Sequence, residues 1–442
     1  MPNQGTEHQS SYTFTSVKIL SDRAPNHEPE ISAAVTDLDI YEHLDKPYLT
    51  GEITFLDNVN LIAKMDILGG ERLTITFKSL EQGSTQIDKI FYIEKIKLRG
   101  SANHIEESIT FHIIEEHAYH ANLLNVNKAY TGSTFEIIKK ISNNFLGMKV
   151  LGTGNDSQVV KLIVPNLDPI ESLIWIKNRA TTVDGYPFYL FSTLAAKNLV
   201  YSDLGTLLSQ SVINPEYPYT GYPITSREIN PTLQRRTLLS YDIRNTENLF
   251  DLIRKGLIGA KYEYLDIVKN TQNKITYDIA TDLLKPLLDK SVVQKNQRDL
   301  LYSPDYTYNG TPFNELPSRY ITRMGGSSAY EDNMTYAESR NKADYKLEII
   351  ASSMDQIMKK SPITVVVNGV DFISGDAHYT IGNNLRIHFL SSRSLKEKSE
   401  EKLDRKKSGD YLIFSAKHMF KKEKYDISFN CVKIANYSEL GS

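Results

Sequence analysis

Residues 73–77, Leu73-Thr74-Ile75-Thr76-Phe77, alternate apolar and polar side chains with the two-residue period of a half-buried strand. The same register returns late in the chain as Leu385-Arg386-Ile387-His388-Phe389. A second match follows each copy: Ile109-Thr110-Phe111-His112-Ile113 in the first, Ile427-Ser428-Phe429-Asn430-Cys431 in the second. Between the two matches lies another strand, near Phe91 in one copy and near Tyr411 in the other. A single L-x-I-x-F run suits any half-buried strand. Three strands in the same order at nearly the same spacing point instead to a duplicated β-domain.

Outward from Leu73, alternating strands fill the chain between Tyr12 and Ile113: SYTFTSVKIL, EISAAVTDLDIY, YLTGEITFLD, ERLTITFKS, DKIFYIEKIKLRG and EESITFHII. Their turns hold Gly69-Gly70, Gly83-Ser84 and Gly100-Ser101, and only NVNLIAKM interrupts as a short helix. This many strands without a long helix predicts a small antiparallel barrel or sandwich. The middle of the chain is mixed. Ser133 with Glu136, and Asp168 with Glu171, form capping boxes, the second with Pro169 at the first helical position. PFYLFS and NLVYSD predict a hairpin, residues 213–232 an ordered loop rich in Pro and Tyr, and TENLFDLIRKG a short helix before strands AKYEYLDIV and KITYDIA. A long helix over about Thr335–Lys359 carries Leu347, Ile350, Met354 and Met358 at helical spacing. Strands return after Pro362.

A chain of 442 residues exceeds one compact core. Its net charge of −3 offers no basic excess for nucleic-acid binding. The single cysteine, Cys431, excludes an internal disulfide framework and fits a reducing compartment. The polar opening MPNQGTEHQSS lacks a hydrophobic signal region, and no apolar run reaches the ~20 residues that span a bilayer, so no membrane insertion is expected.

The run HIIEEHAYH (112–120) raises the question of a metal site. His112 belongs to a strand, and only His117 and His120, three apart, can meet on one helical turn. Two nitrogens fall short of the three protein ligands of a catalytic zinc, and H-E-x-x-H needs Glu directly after the first His. Glu115 and Glu116 are expected as a solvated strand end. No G-x-S-x-G, phosphate loop, G-x-G-x-x-G or Cys pair occurs, and MGGSSAYED (324–332) suits a turn before the long helix better than an anion cradle. Neither catalytic residues, a metal nor a cofactor are expected. A cell-wall hydrolase is a remote alternative.

The order β-domain, mixed insert, interrupted second β-domain resembles the baseplate central hub protein of contractile-tailed (myovirus) bacteriophages, which is related to the hub portion of type VI secretion spike proteins. The resemblance runs from about Val17 to Asn436. EISAAVTDLDIYEHLDKPYLTGEITFLDNVNLIAKMDILGGERLTITF is similar to the family's first barrel, and GSTFEIIKKI with VPNLDPIESLIWIKNRA to its helical middle. SSAYEDNMTYAESRNKA is similar to the segment entering its long helix. VNGVDFISGDAHYTIGNNLRIHF and SAKHMFKKEKYDISFNCVKIAN are similar to its closing barrel.

The resemblance implies a mainly β fold with an α+β insert: two tube-like antiparallel β-barrel domains and a mixed helical middle, assembled as a trimeric torus. The expected bounds are an N-terminal arm (1–11), a first barrel (12–116), a middle domain (117–236 and 268–360), a second barrel (237–267 and 361–437) and a tail (438–442). It further implies a homotrimer of pseudo-sixfold symmetry that joins a hexameric tail tube to a trimeric central spike, in the tail baseplate of a virion made in the host cytoplasm. The implied partners are the spike's N-terminal oligonucleotide-fold domain, tube-initiator and tape-measure proteins and the baseplate wedge, with DNA passing the lumen without sequence-specific binding. A type VI or tailocin-like spike hub is the alternative, and the lack of a fused spike after Asn436 favours the phage form. This sequence departs from the family at SLKEKSEEKLDRKKSGD (394–410), where a short hairpin becomes about twenty mostly charged residues. Lys396, Lys398, Glu400, Glu401, Lys402, Asp404, Arg405, Lys406 and Lys407 are expected there as a solvated partner interface.

Overall fold

The computed structural model describes residues 12–437 apart from 81–85, 103–104, 153–158, 215, 217, 222–235, 244–248, 267–269, 286–296, 301–306, 317–318, 326–341, 359–362, 373–379, 391–402 and 422–423. The expected terminal arm (1–11) and tail (438–442), and the SSAYED part of the turn before the long helix, lie outside these.

Twelve strands form one sheet. They are β1 Tyr12–Leu20, β2 Val35–His43, β3 Thr50–Asp57, β4 Arg72–Ser79, β5 Ile87–Ser101 and β6 Glu107–Glu115, then β7 Tyr219–Thr220, β8 Ser240–Ile243, β9 Ile363–Asn368, β10 Asn384–His388, β11 Gly409–Lys421 and β12 Lys424–Val432. The spatial order is β1-β4-β5-β6-β3-β2-β11-β12-β9-β8, with β10 also on β11 and β7 on β10. The first six strands and the last six therefore trace one ladder twice, β1-β4-β5-β6-β3-β2 and β7-β10-β11-β12-β9-β8.

The duplication holds at the level of single hydrogen bonds. Leu73 lies opposite Phe91 in the first ladder, and Leu385 opposite Tyr411 in the second. Gly70 donates its N–H to the Ile93 carbonyl (2.7 Å) and Gly382 to that of Ile413 (2.9 Å). Both glycines take left-handed φ values, +89° and +80°, which a side chain would strain. A bulge follows in each long strand, between Ile93 and Lys95 and between Ile413 and Ser415. One difference stands out: β1 pairs antiparallel with β4, whereas the two-residue β7 runs parallel to β10.

The inward face of each ladder is apolar, as the two-residue period requires. Leu73, Ile75, Phe77, Phe91, Phe111 and Ile113 are buried in the first; Leu385, Ile387, Tyr411, Ile427, Phe429 and Cys431 in the second. Burying each such side chain contributes roughly 1.5–3 kcal/mol. The sheet bends round on itself. Tyr12 in β1 lies 5.0 Å from Phe420 in β11, and Tyr241 in β8 lies 4.9 Å from Phe389 at the end of β10. These strands are not sheet neighbours, so the rings meet only because the sheet curves into tube-like units. The strand order runs open from β1 to β8 among the described residues. Short bridges, Lys18 with Glu30 and Thr220 with Thr237, tie β1 and β7 back to the segments that precede β2 and β8.

The mixed middle follows its caps. The Thr134–Ile141 helix starts where Ser133 Oγ accepts the Glu136 N–H (3.2 Å), and the Pro169–Lys177 helix where Asp168 Oδ1 accepts that of Glu171 (2.8 Å). Phe188–Phe191 and Leu199–Asp203 form the expected hairpin. The long helix is described over Lys342–Met358, with Ile349, Ile350, Met354 and Met358 buried. Within the expected loop at 213–232, Tyr219–Thr220 pairs as β7, a strand too short to show a period. Segment 237–267 divides between two sheets: β8 joins β9, while Ala260–Asp266 pairs with Thr271–Tyr277 and Tyr320–Gly325.

Candidate functional site

The three histidines of HIIEEHAYH point to three different partners. His112, in β6, contacts Glu94. His117 is buried with Nε2 2.7 Å from the Pro47 carbonyl, and the exposed His120 lies 3.3 Å from Tyr92 Oη. Among the described residues no three His, Cys, Asp or Glu side chains are placed to hold a metal.

The expected solvated strand end at Glu115 is corrected. Glu115 continues the inward alternation of Phe111 and Ile113, and it is only 6% exposed. Its Oε1 meets Lys89 Nζ at 3.0 Å, while Oε2 accepts the Leu49 N–H (2.9 Å) and the Ser192 hydroxyl (3.0 Å). Lys89 Nζ also donates to the carbonyls of Thr193 (3.0 Å) and Ala196 (2.8 Å). Burial pushes the Glu115 carboxyl up, but the charges of Lys89 and His117 and its hydrogen bonds outweigh it and hold the group below the usual carboxylate range.

A second inward carboxylate grips the same segment. Glu42, at the end of the Leu38-x-Ile40-x-Glu42 alternation, accepts the Leu194 N–H (2.5 Å) and the Thr380 hydroxyl (2.7 Å). His418 Nε2 lies 3.1 Å from Glu42 Oε1, and its Nδ1 lies 2.7 Å from Tyr425 Oη. Burial again raises the carboxyl, and the facing His418 with these hydrogen bonds brings it below its ordinary value. Residues 192–196, the turn of the middle hairpin, are thus held from one side by β5 and β6 and from the other by β2, whose Glu42 is braced by His418 of β11. Buried charges of this kind fix geometry more than they add stability.

The opposite face of the sheet is polar where the two ladders join. Lys417 pairs with Asp39 (2.8 Å) and Lys421 with Asp37 (3.5 Å) across β2 and β11, and Lys97 with Glu52 (2.5 Å) further along. Thr54 and Thr110 (2.9 Å), and Thr364 with Asn430 (2.8 Å), continue this face. Each of these three acids faces a lysine. A concavity of about 760 Å³ straddles the joint, lined by Tyr41, Thr50, Phe414, Lys417, Ser428 and Asn430 among others.

Of the expected interface residues, Lys396, Lys398, Glu400, Glu401 and Lys402 lie outside the described residues. Asp404, Arg405, Lys406 and Lys407 form a turn fastened to the second ladder. The Asp404 N–H donates to the Phe389 carbonyl (2.7 Å), and Asp404 Oδ1 accepts the N–H groups of Lys406 and Lys407 (3.1 Å each). Lys433 Nζ donates to the carbonyls of Lys406 (2.5 Å) and Ser408 (3.2 Å), and the Tyr411 hydroxyl to that of Lys407. Arg405, Lys406 and Lys407 are exposed.

Glu42, Lys89, His418 and Lys433 belong to no sequence motif. The signal was present: each charge falls on, or directly continues, the inward parity of an alternating strand.

The architecture defines a class, a mainly β chain of two fused, curved ladders interrupted by an α/β insert. No protein-family model matches the chain, and no curated protein is similar to it. Its fold is that of a solved tail protein from Neisseria meningitidis, at a TM-score of 0.51 and 13% identity, over 96% of this chain and 97% of that one. A 43 kDa tail protein of prophage MuSo2 from Shewanella oneidensis aligns at 0.49 and 10% identity, over 95% and 98% of the two chains. An E. coli component of the type VI secretion system aligns at 0.41 and 10% identity, over 92% and 74%.

Proposed function

We propose that this chain is the structural hub of a phage tail baseplate: a homotrimeric ring that joins a hexameric tail tube to a trimeric central spike and carries no catalytic activity. The duplicated ladder is the observation that supports this reading. One chain presents two equivalent units, so three chains present six, which suits a sixfold tube above and a threefold spike below. The likeness to a solved tail protein agrees with that use of the fold. In this reading the spike docks through its N-terminal oligonucleotide-fold domain, and tube-initiator, tape-measure and wedge proteins meet the ring elsewhere.

The polar sheet face at the joint lines the passage. Its acids Asp37, Asp39 and Glu52 are matched by Lys421, Lys417 and Lys97, so a moving polyanion meets neither a trap nor a barrier. Native mass spectrometry tests the ring directly. The expected species has three times the 50.2 kDa chain mass, alone or with the spike. A protein that remains monomeric with its spike present rules the reading out, as would cell-wall lysis by the purified chain.

A further inference from the structure

We infer that a cleft between the middle domain and the first ladder binds a neutral, hydroxyl-rich small molecule, a single sugar ring or a polyol of similar size. One chain builds this cleft by itself, so it stands apart from the ring proposed above. Its volume is about 440 Å³. Small-molecule sites typically hold about 300–1,000 Å³. Four segments converge on it: the turn after β2 brings Asp45, the end of the Pro169–Lys177 helix brings Lys177, the middle hairpin brings Tyr189, and the long helix brings Asp355.

Two of these side chains are buried donors with capacity to spare. Phe188 and Leu190 turn into the core of the middle domain, so Tyr189 between them takes the opposite face of the strand. Tyr189 is 1% exposed, and its hydroxyl has no hydrogen-bond partner among the described residues. Buried polar groups in folded proteins are nearly always partnered, so an orphan on a cleft wall marks a place prepared for a ligand. Burial, with the charges of Asp355 and Asp45, pushes this hydroxyl well above the usual tyrosine range and keeps it a donor. Lys177 is 6% exposed and gives one of its three N–H donors to Asp45 Oδ1 at 3.1 Å. Its Nζ lies 5.9 Å from the centre of the Tyr189 ring, so both donors serve the same cleft.

The charges on the walls define the class of ligand. Asp45 and Asp355 oppose an anion, and Lys177 opposes a cation. A neutral molecule meets neither barrier. It has to accept from Tyr189 and Lys177 and donate to carboxylates, and a hydroxyl does both at one atom. Ile174, Pro187 and Phe188 supply apolar wall for its C–H surface. A peptide is also neutral and two-sided, but it is recognised chiefly along open main-chain groups. The walls here are two helices and a paired hairpin strand, whose main-chain groups are mostly spent within those elements.

Saturation-transfer NMR and calorimetry on the full chain test the site, with glucose, galactose, mannose and glycerol as probes. Methyl glycosides of the same sugars distinguish two sources: their binding assigns the terminal residue of a glycan, and binding of the free sugar or glycerol alone assigns a free polyol. Tyr189→Phe, which removes only the unpartnered hydroxyl, should weaken binding about tenfold or more while the melting temperature stays the same. Ala351→Leu, at a half-buried position on the cleft wall, should fill the space and abolish binding. Binding that persists unchanged in both variants overturns the site. Silence from every sugar and polyol overturns it as well. Preference for glycinamide, acetate or guanidinium over the sugars overturns the class, in favour of a peptide, an anion or a cation. Each of these results leaves the ring standing if native mass shows a trimer.

Discussion

The two ladders bury one charge each at the same place and use it differently. Glu115 follows Ile109-x-Phe111-x-Ile113, and Lys433 follows Ile427-x-Phe429-x-Cys431; both are nearly inaccessible, at 6% and 5% exposure. Glu115 pairs with Lys89 and takes hold of the middle hairpin through Ser192. Lys433 binds the carbonyls of Lys406 and Ser408 and so fastens the turn at Asp404–Lys407. A shared backbone ladder thus sets where an inward charge falls. The sign of that charge, and the groups brought to it from distant sequence, set what docks there.

Removing the acid should hurt most. Glu115→Ala leaves Lys89 buried without its carboxylate, and a loss of roughly 3–5 kcal/mol is expected in urea unfolding. Glu116→Ala, one residue on and partly exposed, should stay within about 0.5 kcal/mol. Equal effects at the two positions would mean that Glu115 is solvated after all.

Acid should act through the same contacts. Glu115 and Glu42 are both held below the ordinary carboxyl value when folded. The unfolded chain therefore binds protons first as pH falls. The stability lent by the pair is full above that value and lost as pH drops through the folded values. Melting temperature followed from neutral pH to about 3 should fall more steeply in the native chain than in a Glu42→Gln, Glu115→Gln variant. Parallel curves would place the acid sensitivity elsewhere.

On the other ladder, Lys433→Met keeps the stem and loses two charge-assisted bonds, for roughly 1.5–3 kcal/mol. The freed turn at Asp404–Lys407 should then be cut faster by trypsin, at Arg405, Lys406 or Lys407. Unchanged cleavage would show that Asp404 alone holds the turn.

The smallest effect should come from the insertion itself. Excising residues 392–402 and rejoining with a short Gly/Asn turn should change stability by about 1 kcal/mol, because loop closure entropy grows only logarithmically. Cutting as far as Lys407 would also remove Asp404 and its bonds to Phe389, Lys406 and Lys407, and should cost more. The shorter excision should leave an assembled ring that joins a baseplate less well, as raised salt would do to the intact protein. A chain that no longer folds after the shorter excision would make those residues part of the ladder.

Most elements were legible because their signals are local. The strands from Tyr12 to Glu115, the N-caps at Ser133 and Asp168 and the hairpin near Phe188 follow from period and cap chemistry within a few residues. β7 was not legible, since two residues carry no period. The site was legible only in part. Asp404 through Lys407 were singled out as charged and exposed, and three of them are exposed, but the anchoring by Lys433 and Tyr411 was not foreseen. Glu115 reads as solvated by its charge, but the parity of its strand buries it.

By itself, the sequence determined the ladder and its duplication, since Leu73-x-Ile75-x-Phe77 and Leu385-x-Ile387-x-Phe389 impose a two-residue period that only an extended strand satisfies. Only the tertiary structure decided which edges meet. Nothing local distinguishes β2, which lies along β11, from β8, which ends the path. Nor does any local pattern bring Glu42, Leu194, Thr380 and His418 together. Period is written in neighbouring residues, whereas edge pairing and buried charge depend on chain segments hundreds of residues apart. Those meet only when the sheet curves and excludes water.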